Sequence, residues 1–417
     1  MKLQILKYEI KKIFCKKSSI ISLIVLGIFL GFTVFFCVSG VIYADAGGNN
    51  ISGIKAVRLL RNEKIKWNGN LTEETIEKVI KENRVINSDS KYAGMKESDI
   101  KLLDMKYARK QEFKDIRELI SDSYSKIHSY DYNVIDSLND DDAGKFYSNR
   151  VSQLKPLLAS EESSRLTKNQ QEYLKNSYKT LTTPFKYSYA DGWINALEKS
   201  PTVIFALAFV TCILIAPIFS VEYQTGSDAI LLSTLHGKKK GIIYKLVAGL
   251  LSTSLVYWIS VCLVFGAIFM IFGFQGGESS LQAHFEGWQS FYHITNSEAL
   301  WMVLLLGYLA CMFICAFAMF ISSKVKTSFA TIIFLGLILI VPAIIGKQLS
   351  SGSLLGEIFN MFPHQMLQGW ALIQTFVLYD VYGKVITPYE MFPVLYGIFI
   401  VILLPFAYNG FRKHKIA

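Results

Sequence analysis

The chain has 417 residues, of which 52% are hydrophobic and 18% are charged, and its formal net charge is +10. These fractions are typical of membrane proteins and exclude an ordinary soluble domain, in which about 25% of residues are charged. The basic residues collect at the ends of long apolar segments, so the positive charge does not indicate nucleic-acid binding. All six cysteines lie in or beside those segments, which excludes a disulfide framework in the polar part of the chain.

The N-terminal residues 1–17 have the pattern of a basic amphipathic helix. Leu3, Leu6, Ile10 and Phe14 recur at steps of three and four residues, and the lysines fall mostly on the other face. Such a helix lies along a membrane surface with its apolar face inward. The alternative is a plain basic tail that only sets the orientation of the first span.

Six apolar segments follow, each suited to cross a membrane as a helix. A helix needs about 20 apolar residues to cross the hydrocarbon core, and barrel strands would alternate instead of running continuously. The predicted fold class is an all-α membrane protein with six transmembrane helices and a large, mostly helical extracytoplasmic domain between helices 1 and 2. The predicted spans are residues 18–43, 201–220, 246–274, 299–321, 329–345 and 391–408.

The distribution of lysine and arginine predicts the orientation of these spans. Basic residues are concentrated in residues 1–17, in residues 221–245, between spans 4 and 5, and in the tail 409–417. By the positive-inside rule both termini are cytoplasmic, and residues 44–200 and 346–390 are outside. Span 1 resembles a signal peptide, but it is longer than the usual apolar region and lacks a clear cleavage site. We therefore expect a multi-pass protein of a bacterial plasma membrane.

The polar insert, residues 44–200, is predicted to be a helical domain with few strands. Thr72 is a candidate N-cap followed by acidic residues in the first helical turn. The aromatic segment 183–193 that leads into span 2 is typical of a membrane interface, although a substrate contact is the alternative. The apolar residues spaced for helix packing are Ile76, Val79, Ile80, Phe113, Ile116, Ile120, Tyr124, Ile127, Val151, Leu154, Leu158, Tyr173, Leu174, Tyr178 and Leu181.

Motifs for catalysis and nucleotide binding are absent from the sequence. There is no GxxxxGK[ST] phosphate loop, no HExxH zinc helix and no GxSxG nucleophile elbow. The spans carry almost no ionisable residues at their centres, which argues against a proton-coupled carrier and an intramembrane enzyme. Cys311 and Cys315 lack histidine or carboxylate partners in their span, so we interpret them as core cysteines and not as a metal site. We expect no catalytic residue, metal or cofactor in this chain.

The segment between spans 2 and 3 is acidic, then apolar, then basic. Glu222 stands at the end of span 2, and three lysines, 238–240, precede span 3. Between them Ile230, Leu231 and Leu235 would form one apolar edge of a short helix. A short helix at a membrane surface can serve as the contact through which a partner protein moves the spans. The alternative is an ordinary loop between two spans.

This segment resembles the permease subunit of type-2 ABC transporters of the exporter class. The resemblance lies in a Glu-aromatic-x-x-Gly-Ser element, a Leu-Leu-Ser-Thr run and a basic cluster that opens the next span. The six spans, the internal termini, the basic amphipathic start and the insert after span 1 fit the same family. The residues that carry the element are Glu222, Tyr223, Gly226 and Ser227, followed by residues 231–234.

The resemblance implies a complex of several subunits. Two permease subunits would pair in the membrane lipid, and we favour a homodimer over a heterodimer. Cytoplasmic ABC ATPase subunits would bind ATP and Mg²⁺ and drive export of an amphipathic peptide antibiotic, drug or lipid. The alternative function is a membrane-anchored sensor or scaffold whose external domain binds a ligand or an envelope partner.

The resemblance also implies roles for particular residues. The residues expected to couple the chain to the ATPase are Glu222, Tyr223, Gly226, Ser227, Leu231, Leu232 and Leu235. The expected outer gate is formed by Phe359, Phe362 and Pro363. Gly27 and Gly31 in span 1 make a small-x-x-x-small pair that permits close packing, in a dimer or within the chain.

Overall fold

The computed structural model describes residues 2–96, 98–126, 129–159, 166–234, 237–348 and 354–414. Within these ranges the chain is mostly helical, with three antiparallel two-stranded sheets that pair β1 with β2, β3 with β4 and β5 with β6. The helices are α1 (Lys2–Phe14), α2 (Lys17–Ser39), α3 (Ile54–Lys64), α4 (Glu73–Asn87), α5 (Ile100–Ala108), α6 (Lys114–Tyr124), α7 (Phe146–Ala159), α8 (Lys168–Thr180), α9 (Asp191–Ile215), α10 (Pro217–Thr225), α11 (Ser227–Ser233), α12 (Ile242–Phe272), α13 (Asn296–Ser322), α14 (Ser328–Gln348), α15 (Leu354–Asn360), α16 (Gly369–Gln374) and α17 (Pro388–Arg412). The strands are β1 (Ile42–Ala44), β2 (Asn50–Ser52), β3 (Gly69–Asn70), β4 (Lys186–Tyr187), β5 (Tyr379–Val381) and β6 (Lys384–Ile386).

Six helical segments in the described ranges are long and apolar enough to cross a membrane, which confirms the predicted all-α membrane fold. Span 2 begins at Asp191, earlier than predicted, because its first turns pack Ala196 and Leu197 inside the protein. The segments, which we call spans 1–6, are Lys17–Ser39, Asp191–Thr225, Gly237–Phe272, Asn296–Ser322, Ser328–Gly346 and Pro388–Arg412.

Span 4 lies at the centre of the bundle and packs against spans 2, 3, 5 and 6. A Cβ added to Gly307 would lie 2.5 Å from Ile204 of span 2, so only glycine lets these two helices approach so closely. Cys311 and Cys315 of span 4 are fully buried, as expected for core cysteines. Spans 1, 5 and 6 lie at the periphery and expose most of their apolar side chains, which leaves them for lipid or for another subunit.

Capping residues set the points where spans 4 and 6 begin. At span 4, the Thr295 hydroxyl accepts from the Glu298 amide (3.3 Å) and the Glu298 carboxylate accepts from the Thr295 amide (2.8 Å). Thr387 and Glu390 form the same capping box at span 6, where Pro388 occupies the first helical position. Both arrangements satisfy amides that have no partner inside their helix.

The insert has its own apolar core, built mainly from α4 and α6 together with Phe146 at the start of α7. The Thr72 hydroxyl caps α4 by accepting from the Thr75 amide at 3.3 Å, as predicted. The predicted packing residues of α4 are buried, as are Ile116 and Ile120 of α6, whereas Tyr124 at the end of α6 is half-buried. In α7, Val151 is exposed while Leu154 and Leu158 are buried. Ile127 lies outside the described residues. Tyr173 and Leu181 are also half-buried. The three-four spacing therefore predicts most of the buried positions, and Val151 is the one that its helix turns toward solvent.

The loop between spans 3 and 4 completes the core of the insert. Trp288 and Ala283 are both fully buried in this core, and the Trp288 ring centroid lies 4.9 Å from that of Phe146. Arg150 of α7 donates from Nε to the Trp288 carbonyl and from Nη2 to the Ser290 carbonyl, each at 2.9 Å. The sequence assigned no role to this loop. The insert and the helix bundle are thus joined by contacts far apart in sequence.

Replacing Arg150 by methionine is expected to lower the free energy of unfolding by roughly 3 kcal/mol, because two buried carbonyls lose their donors. The measurement is thermal unfolding of the full chain in detergent. The matched control is Arg109→Met, which removes only an exposed ion pair with Asp89 and is expected to change stability by less than about 1 kcal/mol. Equal losses in the two variants would contradict this assignment.

The aromatic segment that leads into span 2 is buried, so the prediction of a membrane-interface belt is wrong for three of its residues. Phe185, Tyr187 and Tyr189 are each at most 1% exposed. The Tyr189 hydroxyl donates to the Phe272 carbonyl at the end of span 3 (3.0 Å). Tyrosine is common both at membrane interfaces and in protein interiors where its hydroxyl finds a partner, so the sequence alone does not distinguish these two locations.

A buried lysine attaches the insert to the start of span 2. Lys64 at the end of α3 lies 2.9 Å from an Asp115 oxygen and 3.1 Å from an Asp191 oxygen. Burial lowers the pKa of Lys64, but the two carboxylates outweigh it and the pKa is raised. Lys64 is therefore charged at neutral pH, and the contact fixes α3 and α6 over span 2.

Candidate functional site

Span 2 is interrupted just before the predicted coupling segment. Helix α9 ends at Ile215, and α10 begins at Pro217, whose nitrogen has no hydrogen to donate. The Ser322 hydroxyl of span 4 donates to the Ala216 carbonyl (2.7 Å) and accepts from the Phe219 amide (3.2 Å). The interruption is therefore fixed in place by span 4, and α10 is a separate short helix with its own packing.

Gly226 makes the turn between α10 and α11. Its φ of 68° lies in the left-handed region, where glycine is favoured because it has no Cβ. Helix α11 follows directly, and its Asp228 lies near His414, just after α17. We call the end of the bundle that carries α10, α11 and the lysines 238–240 the basic end. Gly226 and Ser227 thus lie where the chain changes direction. The fold needs this turn whether or not the two residues act in coupling.

Glu222 lies inside an alternating set of opposite charges. Its Oε1 lies 2.6 Å from Lys245 Nζ of span 3 and 3.2 Å from Lys12 Nζ of α1. Lys245 Nζ also lies 2.9 Å from Glu9 Oε2 of α1. We call these four residues the ion cluster. It joins α1, the end of span 2 and the start of span 3.

Burial makes the ion cluster sensitive to the loss of any member. The side chains of Lys245 and Glu222 are 2% and 6% exposed. Removing one charge from such a pair leaves the other buried without compensation, which is strongly destabilising. At Lys12, burial lowers the pKa, but Glu9 and Glu222 outweigh it and raise the pKa. Lys12 is therefore charged at neutral pH and holds α1 against the end of span 2.

A second lysine of the N-terminal segment contacts the interruption in span 2. Lys16 Nζ lies 3.4 Å from the Pro217 carbonyl. Burial, and then repulsion from Lys245, lower the pKa of Lys16 to about 8. Residues before span 1 therefore contact both the ion cluster and the helix break.

Tyr223 attaches α10 to the ends of spans 4 and 6. Its hydroxyl donates to the Ser323 carbonyl at 2.9 Å, and its ring centroid lies 4.3 Å from that of His414 and 5.3 Å from that of Phe411. His414 Nε2 also lies 3.8 Å from a carboxylate oxygen of Asp228 in α11. The neighbouring residues Glu222 and Tyr223 thus contact two different sides of the bundle.

The apolar residues of α11 differ in burial and do not form the single apolar edge that was predicted. Leu232 is 7% exposed and Leu231 packs partly against the bundle core, whereas Ile230 is 74% exposed. Leu235 lies outside the described residues. Ile230 is therefore the large apolar side chain that α11 exposes. The lysines 238–240 that follow are exposed, as expected for a solvated basic run.

The other predicted residues lie elsewhere. Among the described residues, no atom lies within 4 Å of a Cβ added at Gly27 or Gly31, so packing within the chain does not use them. The rings of Phe359 and Phe362 stack with centroids 5.4 Å apart, and Pro363 is buried next to them. This aromatic pair follows span 5, at the end of the bundle that carries the insert.

Lys245 and the α1 residues Glu9 and Lys12 were not predicted as site residues. Lys245 has a signal in the sequence, because it is a single charge between Ile242 and Leu246 at the start of an apolar run. A lysine there that faces the bundle requires an acidic partner. Its partners Glu222 and Glu9 lie 23 and 236 positions away, and a single sequence does not show which distant residues are paired.

Comparison with known proteins gives one match. The family described as ABC-2 family transporter protein matches residues 4–387. No curated protein and no solved structure matches the chain. The matched region includes spans 1–5, the insert and the whole ion cluster. Because this match covers most of the chain and agrees with its six-span helical fold, the chain belongs to the ABC-2 family of transporter proteins.

Proposed function

We propose that this ABC-2 permease exports an amphipathic substrate, driven by ATP hydrolysis in separate ABC ATPase subunits that bind at its basic end. Family membership supports a membrane permease that works with ABC ATPase subunits. The direction of transport and the substrate class rest on the resemblance described above. ATP and Mg²⁺ would be held by the partner, since this sequence has no phosphate-binding loop.

The ion cluster is the observation that carries the proposed coupling. An ATPase that binds Ile230 of α11 would push on α10, which is joined to α11 through Gly226. From α10, Glu222 transmits the displacement to α1 and span 3, and Tyr223 transmits it to the ends of spans 4 and 6. Short, buried contacts transmit such a displacement because packed interfaces shift between discrete arrangements and do not deform continuously.

The orientation that this function needs is that the basic end faces the cytoplasm and the insert faces outward. Ser90 of the insert and Lys239 of the basic end are both exposed. In a variant without native cysteines, Ser90→Cys is expected to react with a membrane-impermeant thiol reagent on intact cells. Lys239→Cys is expected to react only after lysis. The reverse pattern would overturn the orientation.

Activity of the purified proteins tests the division of labour. The chain alone is expected to hydrolyse no ATP, and hydrolysis is expected when an ABC ATPase subunit is added. The matched control is an ATPase subunit whose phosphate-loop lysine is replaced by alanine, which should abolish activity. Hydrolysis that persists with this inactive partner would contradict the proposal.

A second copy of the permease is the proposed partner within the membrane. Gly27 and Gly31 lie one turn apart on an exposed face of span 1, where an adjacent helix can approach closely. We propose a homodimer that uses this face, with lipid covering the remaining apolar surface.

A further inference from the structure

A cavity of about 720 Å³ lies between spans 1, 2 and 5, on the side of the bundle nearer the insert. Phe29, Phe205 and Leu339 supply apolar walls from the three spans, and His364 and Leu367 close it from the segment before α16. Its volume is in the range of small-molecule sites, which is about 300–1,000 Å³. The cavity therefore has room for one ligand of moderate size.

The polar groups in this cavity are few, and one has no partner. Thr202, His364 and Gln368 are its polar lining residues. His364 is 8% exposed, and its Nδ1 atom is buried without a hydrogen-bond partner. Buried polar atoms nearly always have a partner, so an unpartnered one beside a cavity indicates a ligand atom. Burial also lowers the pKa of His364 to about 4, which leaves the imidazole neutral at physiological pH.

The lining restricts the charge of the ligand. No charged side chain is among the lining residues in the described part of the chain. A charged head group would therefore be buried without a counter-charge, at a high desolvation cost. A hydroxyl or amide avoids that cost and can form a hydrogen bond with a neutral imidazole.

We propose that this cavity binds one single-chain amphipathic molecule with an uncharged head group, whose hydroxyl or amide forms a hydrogen bond with His364 Nδ1. The apolar body of the molecule packs against the phenylalanines of spans 1 and 2 and the aliphatic residues of span 5. This assignment rests on the proposed export function, because it takes the bound molecule to be the transported substrate.

Photolabelling of the purified full chain tests the site without nucleotide or ATPase. The probe is a monoacylglycerol that carries a diazirine on its acyl chain, and labelled residues are mapped by mass spectrometry. Labelling is expected at the cavity walls. Unlabelled monoolein should compete for labelling, whereas oleate and oleylamine, which have the same chain and a charged head, should compete about tenfold less well. Equal competition by all three, or labelling away from the cavity, would overturn the proposal.

Variants separate the hydrogen bond from the shape of the cavity. His364→Phe keeps an aromatic ring and removes the polar atom, so probe affinity is expected to fall about tenfold, while His364→Gln retains most of it. Ala343→Trp fills the space between the spans and should abolish labelling. Unchanged affinity in His364→Phe would overturn the assignment, as would persistent labelling in Ala343→Trp.

The outcomes distinguish this inference from the proposed function. Selective binding of the monoacylglycerol probe without ATP-driven transport would leave the binding site standing, and would reject both export and the identification of the bound molecule as its substrate. ATP-driven transport without probe binding would retain the export function and reject the cavity assignment.

Discussion

Replacing Glu222 by alanine is expected to lower substrate export and coupled ATP hydrolysis at least about tenfold, while membrane insertion is retained. Lys245 Nζ would lose its nearest carboxylate, at 2.6 Å, and keep only that of Glu9, at 2.9 Å. Breaking a buried pair costs about 3–5 kcal/mol, and the remaining Glu9 contact places the expected loss near the lower end. The measurement combines thermal unfolding, ATP hydrolysis and export in the same preparation.

A double variant separates stability from coupling. In a Glu9→Gln background, which removes the carboxylate that would otherwise lose its lysine partner, Glu222→Leu combined with Lys245→Met removes both charges of the shortest contact. Apolar replacement of a buried pair often restores stability. We expect this variant to unfold near the wild-type temperature and yet to export poorly, because the link between α10 and span 3 is gone. The control is Lys239→Ala on the exposed basic run, which should change neither property. Normal export by the double variant would show that the ion cluster only stabilises the fold.

Replacing Ile230 by aspartate is expected to weaken association with the ATPase subunit by roughly 30- to 1,000-fold. The side chain is 74% exposed in the chain itself, so the substitution leaves the fold intact. In the proposed interface it places a charge at an apolar contact, and such central contacts account for about 2–4 kcal/mol of binding. The measurement is the dissociation constant of the permease–ATPase complex in detergent.

An aspartate introduced at the other end of the molecule controls for a general effect of an added negative charge on binding. Ser90→Asp adds the same charge on an exposed position of the insert, where binding should not change. Leu231→Asp is a less specific variant, because Leu231 packs partly against the bundle and its loss also affects the fold. Wild-type affinity in Ile230→Asp would remove α11 from the ATPase interface.

The helical membrane fold could be predicted from the sequence because its signal is local. A continuous apolar run of about 20 residues fits only a membrane helix, and six such runs are visible. The start of span 2 could not be predicted in this way. Residues from Asp191 onward include charged side chains and are held by contacts with the insert, so their helix lies outside the apolar run.

The site could be predicted only in part, because its contacts join distant residues. The residue types of α10 and α11 indicated a coupling segment, and Gly226 does form its turn. The sequence placed Glu222 at the end of span 2 but did not indicate its partners, which are Lys12, from 210 positions away, and Lys245. The burial of Trp288 in the insert core could not be predicted, because a single tryptophan in a loop belongs to no periodic apolar pattern.

The most direct test of the coupling account is photocrosslinking from position 230 in intact cells that produce the complete transporter. A photoreactive phenylalanine derivative replaces Ile230, and the same derivative at Ser90 serves as the control. If α11 contacts the ATPase, an adduct is expected between position 230 and an ABC ATPase subunit, and none from position 90. Absence of an ATPase adduct from position 230, or an adduct from position 90 alone, would show that α11 is not the ATPase contact.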